Sequence, residues 1–484
     1  MNVENLEPAA LWSNFAALNA IPRASKKEER VIEFVIAYGR QLGLETIKDH
    51  IGNVVIKKPA TNGMEKRQTV ILQSHLDMVH QKNGDSNFDF DTQGISMYVD
   101  GDWVKADGTT LGADNGIGVA AIMAILAATD IAHPALEALF TIDEETGMTG
   151  AKELDPSNLS GTILLNLDTE EDDELTIGCA GGIDTTTQYN YREQPAGKDS
   201  IAFRIAVKGL LGGHSGMDIH KGRANANKLM NRFLYNGNKV LELQLSSLEG
   251  GSLRNAIPRE STAVVTVSTG QKEAFLSFAA DFSEVIKAEY QAMEPGISIS
   301  VAETELPDRV LEKSEYHKII NALYAVPNGV FRMSPDIADL VEASSNLARV
   351  SIKGGEFITK SLQRSSVEST KEDVAIAVGA GFENMGCNVS TSGDYPGWKP
   401  NADSKILALM RSLYKLSFNA EPNVNACHAG LECGILGAHL PGMDMISFGP
   451  TIHGAHSPDE RVQISSVNKF WNYLLKVLEE ISAR

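Results

Sequence analysis

Residues 135–147, ALEALFTIDEETG, join an apolar run of strand length to three consecutive acids, Asp143, Glu144 and Glu145. Like charges packed together repel one another, so three acids at the end of a buried strand are unfavourable unless a positive charge lies beside them. The stretch therefore predicts a buried strand whose end lies near a cation.

Two further apolar runs of strand length, residues 69–72 and 162–167, lie on either side of this stretch in the chain. Residues 116–129 are predicted to form a helix packed with small residues. Strands that are buried on both faces and alternate with helices are typical of an α/β fold. We predict a mostly parallel sheet with helices on both faces.

The middle of the chain has a different pattern. Short runs such as 202–207 and 263–267 mix apolar and polar residues, and 271–293 is predicted to be a long amphipathic helix. A sheet with one solvated face gives such a pattern. A Gly- and Pro-containing segment at 393–404 then precedes another amphipathic helix, at 405–416. We predict one α/β domain, interrupted by an inserted α+β domain with two related halves; the ranges are 1–184 and 396–484 for the first domain and 185–395 for the second.

Composition narrows the class of protein. A chain of 484 residues exceeds one ordinary domain, and 43% hydrophobic with 22% charged residues is typical of a soluble globular protein. The net charge of −20 argues against nucleic acid or an anionic membrane as a partner. The N-terminal stretch lacks a signal-peptide pattern, and the longest apolar stretch, 117–128, is too short to span a bilayer. Because the four cysteines are scattered, we expect reduced thiols and a cytoplasmic location.

Common catalytic motifs are absent: the sequence has no G-x-S-x-G, no phosphate-binding G-x-x-x-x-G-K-[ST], no G-x-G-x-x-G and no H-E-x-x-H. A set of His, Asp and Glu residues remains, each after an apolar run or in a glycine-rich turn. They are His75, Asp77, Asp114, Glu144, Glu145, Asp168 and His456. Because ligands of open α/β sheets bind outside the carboxyl ends of the strands, we expect these side chains to meet at that edge.

The number of candidate ligands indicates more than one ion. His75, Asp114, Glu145, Asp168 and His456 are too many for one four-coordinate zinc ion, and they fit two ions if one carboxylate bridges both. Nitrogen and oxygen ligands without thiolates suit Zn²⁺, Mn²⁺ or Co²⁺. A water shared by two such ions needs a base that is not itself a ligand.

Each motif also has a purely structural interpretation. His75 and Asp77 can form a structural pair, and Asp114 can begin a turn or a helix. Glu144 and Glu145 can be a solvated first turn of a helix, favoured by the helix dipole. The acidic run 170–174 is most simply a solvated loop. The order of the other residues and their positions at strand ends together favour a metal site over these separate interpretations.

Eight motifs occur in order along nearly the whole chain: QSHLDMV, GTTLGADNGIG, EETGMTGA, NLDTEE, KGLLGGHSG, NAIPRE, HAGLECG and GPTIHGAHSPDE. Together they resemble the M20 clan of di-zinc aminopeptidases and dipeptidases. The longer matches are most similar to its bacterial cytosolic aminoacyl-histidine (Xaa-His) dipeptidase branch, which cleaves carnosine, β-alanyl-histidine.

The resemblance implies two divalent ions, zinc first, with Asp114 bridging; the implied ligands are His75, Asp114, Glu145, Asp168 and His456. Asp77 is similar to the family's catalytic acid that orients a ligand histidine. Glu144 matches the general base. The implied reaction is hydrolysis of a dipeptide with a free N-terminus by a metal-bridged hydroxide. The resemblance also implies a cis peptide bond between Asp114 and Asn115.

The inserted domain resembles the clan's lid domain, and the resemblance implies a homodimer formed through it. His214 is similar to a residue that reaches the scissile carbonyl or the substrate carboxylate, sometimes from a neighbouring subunit. Asn255 and Arg364 are similar to residues that bind the dipeptide's C-terminal carboxylate, which the planar guanidinium suits. Gly430 would shape this pocket through its backbone. The alternatives are a turn residue for His214 and a surface salt bridge for Arg364.

Two other functions remain as alternatives. An N-acyl amino acid deacylase would use the same site and the same carboxylate-binding residues. A non-catalytic peptide-binding protein would have lost the base or a ligand, whereas every expected position here carries the expected residue type.

Overall fold

A computed structural model of the chain describes residues 3–483. The α-helices in this range are α1 Ala9–Asn19, α2 Glu29–Gln41, α3 Ala113–Ala127, α4 Thr149–Lys152, α5 Ala226–Val240, α6 Lys272–Tyr290, α7 Lys313–Ala325, α8 Glu368–Glu383, α9 Lys405–Phe418, α10 Glu432–His439 and α11 Ile464–Glu480. The strands are β1 Glu45–Lys48, β2 Val54–Lys58, β3 Val70–His75, β4 Met97–Asp100, β5 Trp103–Ala106, β6 Leu136–Thr141, β7 Ile163–Asn166, β8 Glu174–Cys179, β9 Gly181–Asn190, β10 Glu193–Pro195, β11 Ser200–Lys208, β12 Gln244–Gly250, β13 Ser261–Ser268, β14 Ser298–Thr304, β15 Arg309–Leu311, β16 Gly329–Met333, β17 Val341–Lys353, β18 Glu356–Ser365, β19 Asn388–Tyr395, β20 Asn423–Cys427, β21 Asp444–Ser447, β22 Ile452–His453 and β23 Arg461–Gln463.

The chain forms two compact units. Unit 1 comprises the chain up to Gly178, Trp398–Ala426 and the chain from Leu431 onward, and unit 2 comprises Cys179–Gly397 with Cys427–Gly430. The predicted boundary at 184/185 falls within strand β9, and the predicted boundary at 395/396 falls at the end of β19.

Unit 1 is built on an eight-stranded sheet with the order β1-β2-β6-β3-β7-β21-β8-β20. The four neighbouring strands β6, β3, β7 and β21 are parallel, whereas β1, β2 and β8 pair antiparallel with their neighbours. Every residue of β3, β6 and β7 is buried, and the apolar residues that predominate in them are typical of strands buried on both faces. The predicted α/β class is confirmed, and the parallel part of the sheet is its centre.

Strand register in this sheet brings the polar residues after the strands to one edge. His75 ends β3 and pairs with Thr141, the last residue of β6. On the other side of β3, Gln73 pairs with Asn166, the last residue of β7. The segments that follow β6 and β7 therefore leave the sheet beside His75. A small sheet, β22-β23-β5-β4, also belongs to unit 1, and the connection between β22 and β23 carries His456.

Unit 2 contains a nine-stranded antiparallel sheet, β14-β11-β13-β12-β17-β18-β9-β19, with β16 paired to β17. Its halves repeat one arrangement. The elements β11, α5, β12, β13, α6 and β14 form one half, and β9, α7, β17, β18, α8 and β19 form the other. Across the sheet, the four strands of each half follow the order fourth, first, third, second. Along the chain, the elements of each half follow a β-α-β-β-α-β pattern. This repetition supports the proposal that unit 2 arose from two related halves.

None of the helices within residues 3–483 combines the length and the apolar composition that crossing a membrane requires.

Candidate metal centre

His75 and two carboxylates form the first cluster at the sheet edge. The His75 side chain is buried. Its Nε2 lies 3.1 Å from Asp114 Oδ1 and 3.4 Å from Asp168 Oδ1. The three side chains offer ligand atoms close enough together to hold one ion.

A second cluster contains His456. Its Nε2 lies 2.9 Å from Glu145 Oε2 and 3.2 Å from Asp114 Oδ2. Asp114 thus faces the first cluster with one oxygen and the second with the other, as a bridging carboxylate must. The structure therefore brings together all five residues that the sequence indicates as ligands, His75, Asp114, Glu145, Asp168 and His456.

Asp114 lies at the beginning of α3, where the backbone is not helical. The peptide bond between Asp114 and Asn115 is cis, which confirms the expectation from the resemblance. The Asn115 side chain donates a hydrogen bond to the carbonyl of Leu167, next to Asp168. The start of α3 is therefore tied to the segment that follows β7.

The charges in these clusters act strongly on one another. Burial would lower the pKa of His75, but the carboxylates of Asp168 and Asp114 outweigh burial and raise it well above its ordinary value. Hydrogen bonds that the His456 ring donates to the carboxylates of Asp114 and Glu145 raise the pKa of His456 to about 11. Burial, together with the neighbouring carboxylates, raises the pKa of Asp168 to about 7. The site concentrates negative charge that positive charge must balance.

The residues fit divalent metal ions. Glu145 Oε1 and Asp168 Oδ1 are buried carboxylate oxygens without a hydrogen-bond partner within the described part of the chain. A buried carboxylate oxygen is costly unless a donor or a cation compensates it. The set of two imidazoles and three carboxylates is one that Zn²⁺, Mn²⁺ and Co²⁺ accept.

Asp77 joins His75, a candidate ligand, to the acidic turn. It is buried, and one of its oxygens lies 3.4 Å from His75 Nδ1. The carboxylate also accepts hydrogen bonds from the backbone N–H groups of Glu144 and Glu145, at 3.0 and 3.2 Å, and from the hydroxyl of Ser25 at 2.8 Å. Asp77 therefore orients His75 and fixes the backbone that carries the two glutamates.

The three consecutive acids have different surroundings. Glu145 belongs to the second cluster, and Glu144 also lies near His75. Burial raises the pKa of Glu144 well above its ordinary value. Asp143 is buried. Its carboxylate accepts hydrogen bonds from the hydroxyls of Thr146 and Thr149, so Asp143 closes the turn that leads into α4.

In unit 2, the ring of His214 has a defined orientation. Its Nδ1 accepts hydrogen bonds from the backbone N–H groups of Gly216 and Met217, at 3.2 and 3.0 Å. Burial and the nearby Arg364 guanidinium lower the pKa of His214. A neutral ring that accepts at Nδ1 carries its proton on Nε2, so His214 presents a donor there.

The other predicted substrate-binding residues lie near one another in unit 2. Arg364 is only 4% exposed and donates hydrogen bonds to Tyr395 Oη at 2.9 Å and Ser215 Oγ at 3.4 Å. Arg364, Tyr395 and Asn255 line a cavity of about 350 Å³. Gly430 lies against the Tyr395 ring: a Cβ added to Gly430 would lie 3.0 Å from Tyr395 Cε2. Because Arg364 is buried and ion-paired to no described residue, the surface salt-bridge alternative is wrong.

Sequence reasoning missed four residues of these sites. Tyr395 holds Arg364, and buried His428 lies near both Arg364 and His214. Glu460 and Arg23 hold the backbone around the metal ligands. His428 and Glu460 stand inside the motifs HAGLECG and GPTIHGAHSPDE, and that position is the only signal the sequence offers for them.

Comparisons with known proteins show the family of the chain. The chain is 42% identical to a protein of Escherichia coli (strain K12) named cytosol non-specific dipeptidase, over 484 residues that cover 100% of this chain and 99% of that protein. The crystal structure of aminoacylhistidine dipeptidase from Vibrio alginolyticus is similar with a TM-score of 0.95 and 42% identity, over 100% of this chain and 99% of that one. Aminopeptidase PepT from Bacillus cereus shares the fold, with a TM-score of 0.57 and 15% identity over 98% and 99% of the two chains. The model of Peptidase family M20/M25/M40 matches residues 71–480, and the chain belongs to that family.

Proposed function

We propose that this chain is a metal-dependent dipeptidase that hydrolyses dipeptides with a free N-terminus, including Xaa-His dipeptides such as β-alanyl-histidine. The observation that carries the proposal is the group of five ligands at the sheet edge, in a chain similar over its full length to two proteins named as dipeptidases. One of the two is named non-specific and the other aminoacylhistidine dipeptidase, so Xaa-His substrates belong to a broader dipeptide class in this proposal.

Peptidases of this family use divalent metal ions. We propose two, one at each cluster, with Asp114 shared between them and Zn²⁺ preferred over Mn²⁺ or Co²⁺. When bound, such ions polarise the scissile carbonyl and lower the pKa of the attacking water towards about 7. The division of Asp114 oxygens between His75 and His456 supports this arrangement.

Glu144 is the proposed general base. It lies beside the ligands Glu145 and His75, and burial favours its uptake of a proton. Glu144 would accept the proton of the attacking water and return it to the departing amine. Asp77 fixes the backbone N–H of Glu144 and thereby holds the base beside the ligands.

His214 and Arg364 are proposed to bind the substrate. The Nε2–H of His214 is a donor suited to the oxyanion that forms when the peptide carbonyl is attacked, in its own or in a partner subunit. Arg364 is a buried guanidinium without a carboxylate partner in the described chain, next to a cavity that Asn255 also lines. The C-terminal carboxylate of a dipeptide would supply the missing anion. Gly430 leaves room for the Tyr395 ring beside it.

We further propose a cytoplasmic enzyme that forms a homodimer through unit 2, without nucleic acid or membrane partners. The name of the E. coli relative and the net charge of −20 support the location. Light scattering that gives the mass of a single 52.2 kDa chain would count against the dimer.

The test of the function is release of histidine from β-alanyl-histidine by chelator-treated protein, with and without added Zn²⁺ or Mn²⁺. We expect activity only after metal is added. A panel of other dipeptides and of N-acyl amino acids defines the substrate class. Hydrolysis of acyl amino acids without hydrolysis of any dipeptide would overturn the proposal in favour of a deacylase.

A further inference from the structure

Glu460 makes an unusual set of contacts beside the metal centre. The side chain is buried, with 3% of its surface exposed. Its Oε2 accepts hydrogen bonds from the backbone N–H groups of Leu111 and Gly112, at 2.7 and 2.9 Å. Its Oε1 accepts those of Ala113 and Asp114, at 2.8 and 3.2 Å. One carboxylate thus holds four consecutive N–H groups, and the last belongs to Asp114 itself.

Glu460 also belongs to the segment that carries His456. Its own backbone N–H donates to the carbonyl of Ser457, and the Ser457 N–H donates to the carbonyl of Gly454. These short turns link Glu460 to the histidine four positions earlier in the chain. Glu460 therefore connects two ligand segments that are far apart in sequence, and His456 Nε2 and Asp114 Oδ2 lie 3.2 Å apart.

Arg23 supports the same backbone through its carbonyl groups. It is 1% exposed, and its guanidinium donates to the carbonyls of Leu76 and Asp77, at 3.0 and 3.1 Å, and to the carbonyl of Gly112. Gly112 has a φ of +70°, and a Cβ there would lie 2.5 Å from Arg23 Nη2. The loop before Asp114 thus gives its carbonyl to Arg23 and its N–H groups to Glu460, which leaves it little freedom to shift.

We propose that Glu460 is a positioning residue of the metal centre, which sets the separation of Asp114 and His456 by holding the backbone of residues 111–114 against the His456 segment. Glu460 itself touches neither substrate nor metal in this role. The inference rests on the proposed metal site and adds to it the residue that keeps two of its ligands in register. Partners that orient metal ligands in this way typically affect metal affinity by about 10- to 100-fold.

The test is metal affinity measured on the full chain, by titrating chelator-treated protein with Zn²⁺ in competition with a chromophoric chelator. In E460Q, one oxygen becomes an NH₂ group that faces two backbone N–H donors, so at least two of the four hydrogen bonds are lost. We expect the affinity for at least one of the ions to fall by about 10- to 100-fold. We also expect kcat measured at saturating Zn²⁺ to fall less than the affinity does.

Glu137 provides a matched control. It is also 3% exposed, and its carboxylate accepts hydrogen bonds from the backbone of Ser160 and Gly161 and from the Ser160 hydroxyl, at the opposite end of β6 from the metal centre. E137Q should lower the melting temperature without weakening Zn²⁺ binding. If E460Q lowers the melting temperature as E137Q does and binds Zn²⁺ within about threefold of the wild type, Glu460 has only a structural role and the inference is wrong.

E460D serves where E460Q does not fold. It keeps the charge but is one methylene shorter, so it cannot reach all four N–H groups. A loss of Zn²⁺ affinity of about threefold or more in folded E460D supports the inference, and wild-type affinity overturns it. If the wild-type chain itself binds no Zn²⁺, Mn²⁺ or Co²⁺, then the proposed function fails, and this outcome is distinct from a failure that concerns Glu460 alone.

Discussion

The environment of His428 predicts a specific loss of stability in mild acid. The residue is buried in unit 2, with Nε2 2.8 Å from Ser344 Oγ. Burial first, then the Arg364 guanidinium and the neighbouring imidazoles of His214 and His220, lower the pKa of His428 to about 3. Among the main influences on this ring only a hydrogen bond with the Val341 backbone raises the pKa, and it is outweighed, so the folded protein keeps His428 neutral.

The sign and size of the effect follow from proton linkage. An unfolded histidine binds a proton below pH of about 6.5, whereas folded His428 does so only near pH 3. Between these values the unfolded chain holds one more proton, so folding stability falls as pH falls and is fully present above about pH 6.5. Between pH 7.5 and pH 5, stability is lost only over the roughly 1.5 pH units below the unfolded pKa. The free energy of unfolding falls by about 2 kcal/mol over that interval.

The assay compares wild type with H428Q in urea unfolding followed by far-ultraviolet circular dichroism, at pH 7.5 and at pH 5. Taking the difference between the two proteins removes the titration of all groups that they share. We expect the wild type to lose about 2 kcal/mol more than H428Q over this range. The variant H317Q, in which an exposed histidine of the same unit is replaced, should follow the wild type. A difference below about 0.5 kcal/mol between wild type and H428Q would show that folded His428 accepts a proton normally, and our reasoning would be refuted.

Three further predictions concern the metal centre and the substrate pocket. E144Q should lower kcat by about 100-fold or more because the proton acceptor is lost, while metal content measured by mass spectrometry stays unchanged; a rate within about tenfold of wild type contradicts the general-base role. D77N should weaken Zn²⁺ binding by about 10- to 100-fold, because Asp77 orients His75 and holds the N–H groups of Glu144 and Glu145; unchanged affinity by calorimetry contradicts this. R364M should raise KM for a dipeptide by about 10- to 100-fold but not for its C-terminal amide, and equal changes for both substrates contradict carboxylate binding by Arg364.

The central strands could be predicted because their physical environment is uniform. Runs 69–72, 136–142 and 162–167 are mostly apolar because β3, β6 and β7 are buried on both faces. Such a strand can be predicted from its own sequence, without knowing which strands pair with it. Helices were predicted almost as well: 271–293 became α6, Lys272–Tyr290, and 405–416 became α9, Lys405–Phe418. The antiparallel strands at the margins of the unit 1 sheet were not predicted, because the burial of a single strand does not reveal the direction of its neighbour.

Most candidate ligands could be predicted because they end or directly follow these predicted strands. His75 ends a buried strand, and Glu145 and Asp168 follow two others, so parallel register alone brings these three together. The sequence also indicates His456 as a second imidazole, but its segment reaches the site through the small sheet, and no strand pattern predicts that path. Glu460 and Arg23 bind backbone N–H and carbonyl groups, which every residue carries, so nothing in the sequence identifies their partners.

The acidic turn shows how adjacent residues of like charge acquire separate functions. Asp143 has a φ of 53° and directs its carboxylate to the hydroxyls of Thr146 and Thr149. The backbone N–H groups of the next two residues, Glu144 and Glu145, both point to Asp77, a fourth carboxylate. Four acids can gather here because Asp143 and Asp77 accept hydrogen bonds from neutral donors, which leaves Glu145 for the proposed metal binding and Glu144 for the proposed proton transfer. Loss of the hydrogen bonds to Asp143 and Asp77 should therefore weaken metal binding, although neither residue is a proposed ligand.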